Sequence, residues 1–160
     1  MLEDSPMSDN FEEPLYDFLK RNALSLDDHK KLKAHCESID ITYLCTPFSY
    51  KAAVELMELD VPGFKIGSGE MTDIPSLLKI AELGKPMILS TGMSTLEEID
   101  ETYNALKDNC ESLALMNCVS EYPPVYEDIN LNVINVMQER YPQATICLLY
   151  TSPSPRDVPW

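Results

Sequence analysis

Residues with binding or acid–base chemistry recur where short apolar runs of this sequence end. Lys65 stands inside the run "FKIGS", Ser68 and Glu70 lie at or just past its end, and the run "PMILSTG" carries Ser90. An unpaired ammonium is costly to remove from water, so a lysine in a buried strand needs a partner. Its charge would strengthen the binding of a carboxylate or phosphate that nearby hydroxyls also hold. This pattern favours an anion site, and an internal salt bridge from Lys65 to Glu70 or another acid is the alternative.

Two further runs carry polar residues in the same place. "ITYLCTPF" holds Thr46 near its end, while "LALMNCV" contains Asn117 and is followed by Ser120 and Tyr122. Thr46 would add a hydroxyl donor to the anion site. Glu70 is a candidate proton donor, or an acceptor for a sugar hydroxyl, because a carboxylate on such a rim can bind or titrate as its surroundings demand.

Repeated strand and helix signals supply the scaffold for these residues. Five β-rich runs alternate with helical patterns, at residues 41–48, 64–68, 86–92, 113–119 and 144–146. Four helices are expected to begin at capping residues, namely Ser25, Ser49, Asp73 and Thr95. Repeated βα units predict a parallel sheet with right-handed crossovers, either closed as a (β/α)8 barrel or open and doubly wound.

The carboxyl ends of parallel strands share one rim, where barrel enzymes place their chemistry. The nucleotide-binding spacing G-x-G-x-x-G and the P-loop are both missing from the sequence, which disfavours the commonest functions of an open sheet. Five strands amount to little more than half of a barrel of ~250 residues. We therefore expect an incomplete α/β barrel.

Composition narrows the class of partner. The chain has 160 residues and a formal net charge of −15, a field that repels phosphate backbones and anionic lipid. Nucleic acid and membranes are therefore not expected as partners. The acidic N-terminus lacks a signal-peptide pattern, which favours a cytoplasmic protein. Five cysteines without a C-x-x-C pair favour reduced thiols over disulfides or a zinc site.

Four motifs, in order, resemble the N-acetylneuraminate (sialic acid) synthase family: "TPFS", "FKIGSGE", "GKPMILSTGM" and "NCVSEYPPVYEDINL". The resemblance implies a TIM-type (β/α)8 barrel. It also implies a cytoplasmic transferase, homodimeric at full length, that condenses phosphoenolpyruvate with N-acetylmannosamine or its 6-phosphate with the help of Mn²⁺ or Mg²⁺. By position, the phosphoenolpyruvate contacts would be Lys65, Thr46, Ser68, Ser90 and Ser120, and the residues facing the sugar would be Glu70 and Tyr122.

The sequence also departs from this family. Asn117 stands where bacterial members have a histidine that the resemblance makes a metal ligand, so no metal-binding residue is assigned in this chain. The family pattern ends at Ile146, so we expect a partial barrel domain over residues 1–146. Residues 147–160, "CLLYTSPSPRDVPW", are expected to be an artefactual or disordered tail that adds almost nothing to the core. Two alternatives stay open: a non-catalytic barrel fragment, or a related nonulosonate synthase acting on a different amino sugar.

Overall fold

A computed structural model describes residues 13–121 and 124–149 and divides the chain into two units between Thr42 and Tyr43. The described part of the first unit holds helices α1 (Leu15–Asn22) and α2 (Leu26–Ser38). Ser25 caps α2 through a capping box with Asp28, as the sequence predicts. Hydrogen bonds from Ser25 to the Asp28 carboxylate hold the pKa of that carboxyl below its usual value. No residue of either helix is buried.

A parallel sheet is the centre of the second unit. Its four described strands are adjacent in chain order, namely β1 (Phe64–Ile66), β2 (Met87–Ser90), β3 (Leu113–Cys118) and β4 (Thr145–Leu149). In the register, Lys65 is opposite Ile88, and Ser90 is opposite Met116. This order confirms the predicted α/β architecture, since consecutive parallel strands with helical crossovers are the unit of a (β/α)8 barrel.

Helices between the strands begin where the sequence places their caps. The second unit contains α3 (Tyr50–Met57), α4 (Ile74–Ala81), α5 (Leu96–Leu106), α6 (Tyr126–Ile129) and α7 (Asn132–Arg140), and a single 3₁₀ turn at Ser68–Glu70. Ser49, Asp73 and Thr95 each accept a hydrogen bond from a backbone N–H in the first turn of their helix. None of the helices in the described ranges is both long and apolar enough to cross a bilayer.

One face of the sheet is fully covered and the other is not. Phe64, Ile66, Leu89 and Leu115 have no exposed surface, whereas their neighbours Lys65, Ile88, Ala114 and Met116 are only partly buried. Side chains alternate along a strand, so the first set lies beneath the helices and the second set faces the opposite side, which is the interior in a barrel. Lys65 therefore faces the side that the sequence predicts. All five cysteines are free.

Two strand predictions are wrong in part. Residues 41–47 have no regular secondary structure, although the sequence predicts a strand over 41–48. A strand needs a hydrogen-bonded partner, and within the described residues β1 pairs only with β2. At the other edge, β4 continues past Ile146, and Cys147, Leu148 and Leu149 pair with Met116, Asn117 and Cys118. These three residues belong to the sheet because the apolar run continues through them; residues 150–160 lie outside the described ranges.

Candidate active site

Lys65 is held at the carboxyl end of the sheet by neutral partners. Its Nζ donates hydrogen bonds to Ser90 Oγ at 2.6 Å and to the Ile66 carbonyl oxygen at 2.7 Å. The parallel register brings Ser90 close, since Lys65 and Ile88 are opposite each other and Ser90 follows on the same face. Burial lowers the pKa of Lys65 below its ordinary value, while the charges of Cys118 and Glu70 act in the opposite direction.

The salt-bridge alternative is not what the geometry favours. Among the ion pairs of residues 13–121 and 124–149, none within 4.0 Å involves Lys65. A half-buried ammonium with two neutral acceptors keeps a third N–H donor for a further partner. Lys65 therefore has the charge and the spare donor that an incoming anion requires.

A cleft of about 360 Å³ opens beside this ammonium. Its polar lining comes from Lys65, Ser68, Ser90 and Ser120, and its other lining residues are Gly67, Met93, Cys118, Val119 and Leu149. Small-molecule sites span about 300–1,000 Å³, so the cleft falls at the lower end of that range. One cation with three hydroxyls around it suits a small anion with several oxygen atoms.

The turn after β2 is fixed against β3 by a close backbone approach. Thr91 donates from both its N–H and its Oγ1 to the Met116 carbonyl, each at 3.0 Å, and Gly92 N–H donates to Cys118 Sγ at 3.2 Å. A Cβ on Gly92 would lie 2.6 Å from Ser120 Oγ and 2.7 Å from Cys118 Sγ. Glycine at this position is what lets the β2 and β3 sides of the cleft meet.

The structure brings together four of the seven residues that the sequence assigns to substrate or catalysis. Lys65, Ser68, Ser90 and Ser120 share the cleft. Thr46 is half-buried in the irregular segment before α3 and does not line the cleft. Tyr122 lies outside the described residues.

Glu70 is near the cleft without lining it. Its carboxylate folds back over Gly67, where Oε2 lies 2.6 Å from the position that a Cβ would take. Gly67 lines the cleft, and Glu70 contributes to the electrostatics of Lys65, so the carboxylate borders the site rather than forming its wall.

Five lining residues were missed by the sequence reasoning. Gly67, Cys118 and Val119 are among the last two residues of predicted strands, and Met93 directly follows a predicted strand. Their positions were therefore a usable signal, which the absence of a charge or a hydroxyl concealed. Leu149 gave no such signal because it falls in the segment assigned to the tail.

The residues present do not fit the divalent metal that the resemblance implies. No group of three histidine, cysteine, aspartate or glutamate side chains that could hold a metal occurs in the described ranges. Asn117 is 8% exposed, and its Nδ2 has no hydrogen-bond partner. Along β3 it alternates with Cys118, so it lies on the helix-covered face with Leu115, away from Lys65. It lines a small cavity of about 10 Å³ with Cys118, Ile129 and Leu148, and one amide and one thiol among apolar groups are not a donor set for Mn²⁺ or Mg²⁺.

Comparison with known proteins identifies the family of this chain. A model of the NeuB family matches residues 3–147. The chain belongs to the NeuB family. Over 121 residues it is 40% identical to N,N'-diacetyllegionaminic acid synthase of Campylobacter jejuni, covering 74% of this chain and 36% of that protein. It is 34% identical over 122 residues to N-acetylneuraminate-9-phosphate synthase of Homo sapiens, covering 76% of this chain and 34% of that protein.

A solved NeuB-type structure agrees with the fold. The crystal structure of the N-acetylneuraminic acid (sialic acid) synthetase of Leptospira borgpetersenii, a complex with citrate, superposes with a TM-score of 0.80 at 27% identity. The match covers 85% of this chain and 47% of that chain. The present chain spans about a third of the length of the curated relatives it matches. It is thus a sialic acid synthase-type sequence with part of the α/β barrel of that family.

Proposed function

We propose that the cleft beside Lys65 binds phosphoenolpyruvate in a synthase that condenses it with an N-acylated amino sugar. The observation that carries the proposal is the half-buried Lys65 ammonium, which faces the cleft and, within the part of the chain that the structure describes, donates to two neutral oxygens. Ser68, Ser90 and Ser120 would donate to the carboxylate and phosphate oxygens, and Lys65 would supply the charge that strengthens those contacts. The citrate bound by the Leptospira relative is likewise a small polyanion.

The proposed chemistry forms one carbon–carbon bond and breaks one carbon–oxygen bond. The enol carbon of phosphoenolpyruvate attacks the aldehyde carbon of the open-chain sugar, and the aldehyde oxygen takes up a proton to become a hydroxyl. Water adds to the resulting cationic carbon and loses a proton, and the tetrahedral intermediate expels phosphate by cleavage of its carbon–oxygen bond. A 2-keto acid remains, so no oxidant or reductant is needed.

The residues of this chain would act on the charge that the reaction moves. Negative charge gathers on the departing phosphate, where a preorganised cation and hydroxyl donors stabilise it without reorganising. We assign that role to Lys65, Ser90 and Ser68. Glu70, which borders the cleft, is proposed to hold a sugar hydroxyl or transfer a proton. Tyr122 is proposed to face the sugar, and Thr46 to complete the phosphoenolpyruvate site in the whole protein.

The amino sugar is the second substrate of the proposed reaction. The two named relatives are synthases of different products, N,N'-diacetyllegionaminic acid and N-acetylneuraminate 9-phosphate. We propose N-acetylmannosamine or its 6-phosphate as the first substrates to test, with other acylated amino sugars as the alternative. A cytoplasmic location, a homodimer and a requirement for Mn²⁺ or Mg²⁺ are predictions for the whole protein, and the metal ligands would have to come from residues other than those described.

Phosphate release tests this function. The whole protein to which this chain belongs should release phosphate from phosphoenolpyruvate when a suitable N-acylated amino sugar and Mn²⁺ are present. The 160-residue chain alone should give no detectable turnover, since losing one preorganised donor commonly costs ~10²-fold in rate and this chain spans only about a third of its relatives. Failure of the whole protein with every acylated amino sugar tried would contradict the proposed reaction. Comparable turnover by the 160 residues alone would contradict the view that they hold only part of the site.

A further inference from the structure

Met93, which lines the cleft, occupies a strained backbone position. Ser94 N–H donates to the Thr91 carbonyl at 3.3 Å, which closes a four-residue turn with Gly92 and Met93 at its centre. Met93 has a φ of 66°, while Gly92 has a negative φ, as in a type II turn. Glycine or asparagine suits the second central position of such a turn, because a Cβ is strained at positive φ. A methionine there costs stability that a glycine would not.

The side chain of Met93 is also unusually placed for its chemistry. It is 73% exposed and lines the cleft. Val119 and Leu149 line the same cleft, so its lining contains three apolar side chains besides the polar set of Lys65 and the serines. A flexible, polarizable thioether adapts its shape to small apolar groups. Strain held at a functional cleft points to a role for the side chain rather than for the turn.

We propose that Met93 is a specificity-determining residue that contacts the N-acyl group of the amino sugar; this inference rests on the function proposed above. Phosphoenolpyruvate places its carboxylate and phosphate on the polar side, and its remaining apolar group is the methylene carbon that must stay open to react. The second substrate must also reach that methylene carbon in the cleft, and its apolar portion is the methyl of the acyl group. The apolar lining from Met93, Val119 and Leu149 is therefore matched to that methyl.

The test compares acyl groups of increasing size in the whole protein. N-formyl, N-acetyl and N-propanoyl forms of the amino sugar differ by one carbon at each step. We expect kcat/KM to rise from N-formyl to N-acetyl by about 4-fold, the factor equivalent to about 0.8 kcal/mol for one buried carbon. In Met93→Asn that gain should be lost, because asparagine tolerates the positive φ but offers no apolar contact. Met93→Leu keeps an apolar side chain on the same backbone and should retain the gain.

Further measurements distinguish this inference from a packing role for Met93 and from failure of the proposed function. The KM for phosphoenolpyruvate should be unchanged in both variants, since neither touches the polar side of the cleft. An acetyl-to-formyl preference that is unchanged in Met93→Asn, or lost equally in Met93→Leu, would overturn the inference. A fall in melting temperature of Met93→Asn with unchanged preference would also overturn it and assign Met93 a packing role. Inactivity of the wild-type whole protein, or unaltered phosphoenolpyruvate affinity in Lys65→Ala, would instead count against the proposed function.

Discussion

Two cationic side chains of the second unit, Arg140 and Lys65, differ in the charge of the groups that accept their hydrogen bonds. Arg140 donates from Nε to Asp100 Oδ1 at 2.7 Å and from Nη2 to Asp100 Oδ2, and the Tyr141 hydroxyl donates to the same carboxylate at 3.1 Å. Among residues 13–121 and 124–149, the hydrogen-bond acceptors of Lys65 are a hydroxyl and a carbonyl. The Arg140 cluster joins α7 to α5, whereas Lys65 faces a cleft.

The pKa shifts in the Arg140 cluster and at Lys65 agree with this difference. Hydrogen bonds from Arg140 lower the pKa of Asp100, and burial, together with Asp100, raises the pKa of Tyr141 to about 12. Both shifts keep the cluster in its paired form across the neutral range. Burial lowers the pKa of Lys65, so its charged form is held less firmly than in water. Arg140, whose charge is paired with Asp100, joins two helices. Lys65, whose described acceptors are neutral, is available to an anionic ligand.

Removing the Lys65 charge should have the largest effect on binding. In the whole protein, Lys65→Ala is expected to weaken phosphoenolpyruvate binding by about 2 to 3 kcal/mol, or about 30- to 150-fold, since hydrogen bonds to charged groups contribute on this order. Isothermal titration calorimetry measures the affinity. Lys51→Met is the matched control, because Lys51 is an exposed lysine on α3 and should leave binding unchanged. Equal affinity of wild type and Lys65→Ala would place the anion elsewhere.

A methyl group on Gly92 should separate the two sides of the cleft. Gly92→Ala puts a Cβ against Ser120, Cys118 Sγ and, at 3.2 Å, the Cys118 carbonyl, so we expect destabilisation of about 1 to 3 kcal/mol by overpacking. Gly69→Ala is the control, since nothing lies within 4 Å of its Cβ position. Urea unfolding of both variants compares them. Equal stability would show that the turn can move away from β3 at no cost.

A change in the cluster of Arg140, Asp100 and Tyr141 should alter the stability of the protein but not its affinity for phosphoenolpyruvate. Tyr141→Phe removes the hydroxyl that donates to Asp100 from a side chain that is 1% exposed, so unfolding should become easier by about 1 kcal/mol. Tyr126→Phe, at a 76% exposed tyrosine, should be neutral within about 0.5 kcal/mol. Phosphoenolpyruvate affinity should stay at the wild-type value in both variants. A loss of affinity in Tyr141→Phe would contradict the division of roles between this cluster and Lys65.

The helix caps and the orientation of Lys65 could be predicted from the sequence, because each depends on a few adjacent residues. Ser25, Ser49, Asp73 and Thr95 cap helices as predicted, because a cap depends on a few adjacent residues. Lys65 could be placed toward the interior because side chains alternate along a strand.

What depends on partners distant in sequence could not be predicted. Residues 41–48 have the composition of a strand, but pairing decides whether a strand forms. The entry of Leu149 into the sheet and the cleft depends on its register with Cys118, which no local pattern encodes. Asn117 was placed with the other polar residues because it stands near the end of a predicted strand, but the alternation along β3 puts it on the other face from Lys65. The boundary between family segment and tail near residue 146 stays a prediction for residues 150–160.

Proton uptake on ligand binding tests the central claim most directly. Burial holds the pKa of Lys65 below 10.5, so at alkaline pH part of the free cleft is uncharged. An anion bound against Lys65 favours the ammonium and raises its pKa, so binding must take up protons between the lowered pKa and the ordinary value. Calorimetric titration of the whole protein with phosphoenolpyruvate, in buffers of different ionisation enthalpy, counts those protons. We predict uptake that grows as pH rises through this window and that disappears in Lys65→Arg, whose guanidinium stays charged. Binding without proton uptake, or the same uptake in Lys65→Arg, would show that Lys65 is not the anion's partner.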